Sequence, residues 1–158
     1  MQVQEFMTQT VSACVPNDSC AAAGDIMRRR QCGFVPVVDG LRTKRVVGVV
    51  TGQDIALHLT RLNRSPSHLA VKTCMTHAPE TISAEASLEE AVDVMKRAAV
   101  RWLAVVNRGK LVGVLGLQDL ALAGHRQWAY IGPHVMERHV MEVLEAIAVA
   151  RKRRRRRS

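Results

Sequence analysis

The chain has 158 residues, of which 47% are apolar and 3% aromatic, and a net charge of +9. Arg151–Arg157 supply seven of those charges, leaving +2 for residues 1–150, so the body is nearly neutral, unlike a nucleic-acid-binding fold with a basic surface. Charges also interrupt each apolar run well short of the eighteen or more residues a membrane span needs.

The length suits one domain or two tightly joined halves, with enough apolar residues for a real core. Met1–Met7 lacks a basic segment followed by an apolar one, so a secretory signal is not expected and the cytoplasm is the expected location. The first predicted element is a short extended stretch, Ala13-Cys14-Val15. Ser19 follows as a natural helix N-cap. Two β-branched runs come next, Phe34–Val38 and Val46–Val50, each too short for a helix. A helix opens near Gly52. Arg61–Thr73, containing Ser65-Pro66-Ser67, reads as a linker.

The same order then returns. Thr81-Ile82-Ser83 is extended, and Ser87-Leu-Glu-Glu90 has the capping-box spacing. Apolar residues at 88, 91, 92, 95 and 99 follow with helical spacing. Trp102–Val106 and Leu111–Leu115 are β-rich, and a helix opens near Leu117. Residues 7–38 reappear 68 positions later, and residues 46–57 reappear 65 positions later. The offsets differ because the loop Asp39–Arg45 has seven residues and its counterpart Asn107–Lys110 has four. A repeat of this length, present twice, predicts two similar lobes rather than a solenoid, and paired lobes leave clefts for a ligand. After Gly132-Pro133, apolar residues at 136, 140, 143, 144 and 147 predict an amphipathic helix of about 16 residues, roughly 24 Å long. Such a helix packs either on its own domain or across a dimer. The expected division is 1–60 and 74–123 for the two copies, 61–73 for the linker, 124–150 for a helical extension and 151–158 for a basic tail.

Few patterns carry reaction chemistry. The cysteines at 14, 20, 32 and 74 form no Cys-x-x-Cys pair, and in a cytosolic chain they are expected to be reduced and mostly buried. The histidines at 58, 68, 77, 125, 134 and 139 are scattered, so no metal site is expected. There is no nucleophile elbow and no Walker loop, and no catalytic residue is assigned. Thr51-Gly-Gln-Asp54 stands out at a predicted strand-to-helix junction. A carboxylate there can accept two hydrogen bonds from a ribose diol, a hydroxyl can bind ribose or phosphate, and a helix N-terminus favours an anion. Thr-x-x-Asp is equally a capping box, which needs no ligand.

Gly33-Phe-Val-Pro-Val-Val-Asp39 with Val47-Gly-Val-Val-Thr-Gly-Gln-Asp54 resembles the repeat named after cystathionine β-synthase, the CBS domain. Thr81–Ala91 with Val112-Gly-Val-Leu-Gly-Leu-Gln-Asp119 resembles a second copy. The resemblance covers roughly residues 6–123. It implies an α/β (α+β) fold of two pseudo-symmetric β-α-β-β-α repeats packed as a CBS pair, a Bateman module, followed by the C-terminal helix. It also implies adenosine-containing ligands in clefts between repeats, and a homodimer. Carried over by position, one site combines Val49, Thr51 and Asp54 with Ser83, Leu88 and Val100. The other combines Val114, Asp119 and Arg101 with Val15, Cys20 and Cys32. Arg101 is either a phosphate contact or a plain surface arginine. Gly116 stands where the second copy should have a hydroxyl, and Ala104 where it should have a proline. The first copy keeps Thr51 and Pro36 but has Gly33-Phe34 where a base could meet phosphate. The first site therefore has the better ribose grip and the second the better charge for phosphate. One ligand is expected to prefer the first, with few phosphates, or S-adenosylmethionine, favoured over a triphosphate.

The resulting expectation is a non-enzymatic sensor with no obligatory cofactor. It would bind AMP, ADP, ATP, NAD or S-adenosylmethionine as a regulatory ligand and signal through a protein partner. Two alternatives stay open: a ligand-free dimerisation and interaction scaffold, and a nucleic-acid-associated protein acting through its Arg-rich tail. That tail could meet nucleic acid or an anionic surface, or be only a solvated extension that complements the helix dipole.

Overall fold

The computed structural model describes residues 1–126 and 135–155. In chain order the regular elements are α1 (Cys20–Arg30), β1 (Phe34–Val38), β2 (Val46–Thr51), α2 (Gly52–Leu62), β3 (Thr76–His77), β4 (Thr81–Ser83), α3 (Leu88–Ala98), β5 (Trp102–Asn107), β6 (Lys110–Gly116), α4 (Leu117–Arg126) and α5 (Val135–Arg155). Short 3-10 turns occur at Val3–Glu5, Pro66–His68 and Val71–Thr73. Among the described residues there are two three-stranded sheets, ordered β1-β2-β3 and β4-β5-β6.

Local chemistry sets the element ends. Ser19 and Ser87 cap α1 and α3, their hydroxyls accepting from the Ala22 and Glu90 N–H groups at 3.1 Å each. The reciprocal Glu90 half of the expected capping box does not form. Both helices stop at residues in the left-handed region, Gln31 (φ 50) and Ala99 (φ 53). The next N–H groups, of Cys32 and Val100, then return to the Met27 and Met95 carbonyls. Arg108 and Gly109 both have positive φ, forming the tight two-residue turn between β5 and β6.

The expected extended stretch at Ala13–Val15 is reduced to one parallel bridge, Cys14 with Val37, whereas its counterpart β4 pairs with β5 over three residues. Proline explains the difference. Ala84 N–H donates to Val106 O at 2.9 Å, but Pro16 holds the equivalent place and has no N–H. Pro36, opposite Ala13, lacks the donor that Ala104 retains.

The chain divides into two compact bodies. One contains Val11–Pro79 with Arg108–Leu111; the other contains Met1–Thr10, Glu80–Asn107 and Val112–Ser158. Each body thus holds most of one copy and the leader segment of the other. In the first, Val71 N–H donates to Asp18 O (2.8 Å), Lys72 N–H donates to Pro16 O (2.9 Å), and Thr76 pairs with Val49. In the second, Val3 N–H donates to Ala86 O and Gln4 N–H to Ala84 O, both at 2.9 Å, and Thr8 bridges Val114. Gly48 and Gly113 make these crossings close. A Cβ at Gly48 would lie 2.9 Å from the Thr76 carbonyl oxygen, and one at Gly113 would lie 3.0 Å from that of Thr8.

The cores follow the same division. Cys14, Cys20, Ala23, Val35, Val37, Val50, Leu69, Val71 and Cys74 are among the buried residues of the first body. Leu69 and Val71 therefore contribute to a core from within the stretch read as a linker. The second body is centred on Val3, Leu88, Met95, Leu103, Leu115 and Leu120, with Val143 and Ile147 of α5 packed against it. The amphipathic helix is therefore present and lies on its own body. It continues further than the sequence spacing indicates, through Arg155, so Arg151–Arg154 are exposed on a helix. Gly132-Pro133 and Arg156–Ser158 lie outside the described residues.

Candidate functional site

The first body carries a complete capping box at its strand-to-helix junction. β2 delivers Val49 half-buried and ends at Thr51, where α2 begins. Thr51 Oγ1 donates to Asp54 Oδ2 at 2.7 Å and accepts from the Asp54 N–H at 3.1 Å. Asp54 Oδ2 also accepts the Thr51 N–H at 3.0 Å, closing a full capping box. The box accounts for both residue types without a ligand. It also fixes the carboxylate at the start of α2, where a polar ligand would find an oriented acceptor beside helix N–H groups. The Gly52 N–H returns to Gly33 O at 3.3 Å, so Gly33-Phe34 sits at this junction.

The second body has a different arrangement at the same place. Asp119 Oδ2 accepts the Gly116 N–H at 2.7 Å, and the Leu117 N–H returns to the carbonyl of Arg101 at 3.1 Å. Gly116 is a glycine because the Trp102 ring fills the adjoining space: an added Cβ would meet Trp102 Cδ1 at 2.8 Å. The Thr8 side chain, on the leader segment, is near enough to Asp119 to favour its charged form. Burial pushes the Asp119 carboxyl above its usual range, against the lowering effect of the Gly116 and Thr8 donors. Thr8 and Trp102 are the participants that sequence spacing missed. The repeated Met-Thr pair was the available signal for Thr8, but nothing in it indicated which body the segment joins.

The remaining carried-over residues differ in exposure. Arg101 and Ser83 are exposed, while Val15, Cys32, Val100 and Val114 are half-buried. Leu88 and Cys20 are packed inside their cores, at 0% and 1% exposure, so their side chains offer no surface to a ligand. Val49, Thr51 and Asp54 lie in the first body with Val15, Cys20 and Cys32. Ser83, Leu88, Val100, Arg101, Val114 and Asp119 lie in the second. Among the described residues no group of three or more His, Cys, Asp or Glu could hold a metal ion, and no helix is long and apolar enough to cross a membrane.

A family model of the CBS domain matches residues 3–61 and 71–126. The CBS domain-containing protein YhcV of Bacillus subtilis (strain 168) is 32% identical over 120 residues, covering 76% of this chain and 83% of YhcV. A protein with CBS domains from Burkholderia ambifaria MC40-6 superimposes with a TM-score of 0.65 at 28% identity, over 73% of this chain and 82% of that one. CBSX2, a CBS-pair protein from Arabidopsis thaliana, has been solved in complex with AMP. That structure gives a TM-score of 0.66 at 27% identity, over 79% of this chain and 96% of CBSX2. The fold, mixed α/β with two small sheets, is that of the CBS pair.

Proposed function

The chain belongs to the CBS domain family, and from that premise we propose that it is a regulatory sensor of an adenosine-containing metabolite, acting through a protein partner rather than by catalysis. The observation that carries this reading is the Thr51–Asp54 pair, held at the start of α2 with Asp54 Oδ2 2.7 Å from the Thr51 hydroxyl. A ribose diol needs such a preset acceptor, and CBSX2, a relative of the same architecture, takes AMP. The ligand is held at the start of α2 in the first body, by Val49, Thr51 and Asp54. AMP is the first candidate, and a single phosphate suits a site with Gly33-Phe34 in place of a base. The Asp119 site, with Thr8, Arg101 and Val114, is the weaker one, because its carboxyl is already costly to ionise. Ligand binding regulates only insofar as it favours one conformation of the molecule over another.

Dimerisation completes the reading. α2 exposes Leu57 and Leu62, and α4 exposes Leu122, the residue equivalent to Leu57 at the 65-residue offset. Large apolar side chains exposed at matched positions support a symmetric interface with a second copy.

The test is calorimetric titration of AMP into the parent and Asp54→Ala. Losing a hydrogen bond to a charged group costs roughly 1.5–3 kcal/mol, so affinity should fall about ten- to a hundredfold. Asp119→Ala should change it far less. Unchanged affinity in Asp54→Ala would remove the site. No binding of AMP, ADP, ATP, NAD or S-adenosylmethionine by the parent would leave the scaffold reading in its place.

A further inference from the structure

The structure places two free thiols in contact inside the first body. Cys20, the first residue of α1, and Cys74, just after the Val71–Thr73 turn, have their sulfurs 3.3 Å apart. Both are buried, and Cys74 also donates to Val71 O at 3.4 Å. The internal repeat supplies a control. At the 68-residue offset Cys20 corresponds to Leu88, and Cys74 corresponds to Phe6. In the second body Leu88 lies in the core and Phe6 packs against it. The two equivalent positions are therefore apolar in one body and a thiol pair in the other. Apolar side chains fill both positions in the second body, so the thiol pair adds a chemical option that packing does not require.

We propose that Cys20 and Cys74 form an oxidative modification site, closing to a disulfide under peroxide and tying the leader Leu69–His77 covalently to α1. One thiolate attacks a peroxide oxygen, giving a sulfenic acid and hydroxide, which takes up the proton the thiol released and becomes water. The second sulfur then displaces the sulfenic oxygen, which leaves as water. Overall, two thiols and one hydrogen peroxide give one disulfide and two waters. The sulfurs must move together from 3.3 Å to the covalent distance of about 2.05 Å, a side-chain adjustment rather than a change of fold. Burial keeps the pair from bulky oxidants and pushes the Cys74 thiol up to about 12, so reaction is slow near neutrality and faster at alkaline pH. Among the four cysteines, Cys14 is also buried nearby, but the sulfur-to-sulfur contact is between Cys20 and Cys74. The tie would hold β3 against β2 at Gly48 and Val49.

The experiment treats the full chain with hydrogen peroxide, blocks residual thiols under denaturing conditions and maps cross-linked peptides without reduction. The expected product has lost two hydrogens and joins the Cys20 and Cys74 peptides. It should melt roughly 5–15 °C higher than the reduced chain, reversibly with dithiothreitol, because a loop of more than fifty residues is closed. The double variant Cys14→Ala/Cys32→Ala keeps only the proposed pair and must still cross-link, whereas Cys74→Ser must not. A bond to Cys14 or Cys32 instead, no bond while peroxide oxidises other thiols, or a bond that lowers the melting temperature would each overturn the proposal.

Discussion

Replacing Gly48 by alanine adds one methyl group where the leader crosses β2. The added carbon would sit 2.7 Å from Met75 Sδ and 2.9 Å from Thr76 O. Methionine can swing aside, but the carbonyl belongs to β3 and is fixed by its pairing with Val49. Overpacking of this kind costs about 1–3 kcal/mol, whereas a glycine-to-alanine change without strain gains about 0.4–1 kcal/mol by restricting the unfolded chain. The net expectation is a loss of about 1–2 kcal/mol, or a melting temperature lower by roughly 2–8 °C for a chain of this size. Gly24→Ala is the matched control. It lies inside α1 with nothing within 4 Å of the added carbon, so it should raise the melting temperature by about 2–4 °C. Scanning calorimetry on the two variants gives opposite signs if the leader lies where described. A Gly48→Ala protein as stable as the parent, beside a stabilised Gly24→Ala, would refute the close crossing.

Three further outcomes are expected. Asp119 has a folded-state pKa raised above 3.8, so as pH falls the folded protein binds a proton before the unfolded chain does. Stability should therefore rise as pH falls through the folded value and level off below 3.8; Asp119→Asn should be more stable at neutral pH and should lack that rise in pH-dependent urea melts. Leu57→Asp, or Leu122→Asp, places charge on a face proposed to meet a second copy, and light scattering should show a monomer where the parent is dimeric. Removing residues 151–158 should leave the melting temperature nearly unchanged, because Arg151–Arg154 are exposed. If the parent binds duplex DNA or RNA with a steep loss in salt, that deletion should abolish the binding, and persistence of binding would exclude the tail as its source.

The strands were legible because β-branched runs of five residues bounded by glycine and polar loops have few other solutions: the expected Phe34–Val38 is β1 itself, and β2, β5 and β6 differ by one residue at an end or at each end. Serine caps were equally local. What escaped was non-local. Pro16 and Pro36 erase a strand only because a particular partner needs donors at those places. Trp102 explains Gly116 only once the indole is seen over it. Thr8 pairs with Val114 across more than a hundred residues of chain, and no periodicity encodes such a contact. α5 runs beyond its apolar spacing because arginine and lysine are good helix formers, so charge alone does not mark where a helix ends.

The exchanged leaders have a consequence during synthesis. Translation delivers the chain from its N-terminus, and domains commonly fold as they emerge. Here neither body can close in that simple order. The first body needs Val71 and β3, and also Arg108–Leu111, before its set of partners is complete. Met1–Thr10 must wait for β6 and for Ala84 and Ala86, all of which are made after it. The ribosome therefore releases a first copy that stays open until most of the second has been made. The first body has all its residues once Leu111 is made and the second only with Val143 and Ile147, so a chain truncated between the copies leaves two incomplete bodies rather than one finished half.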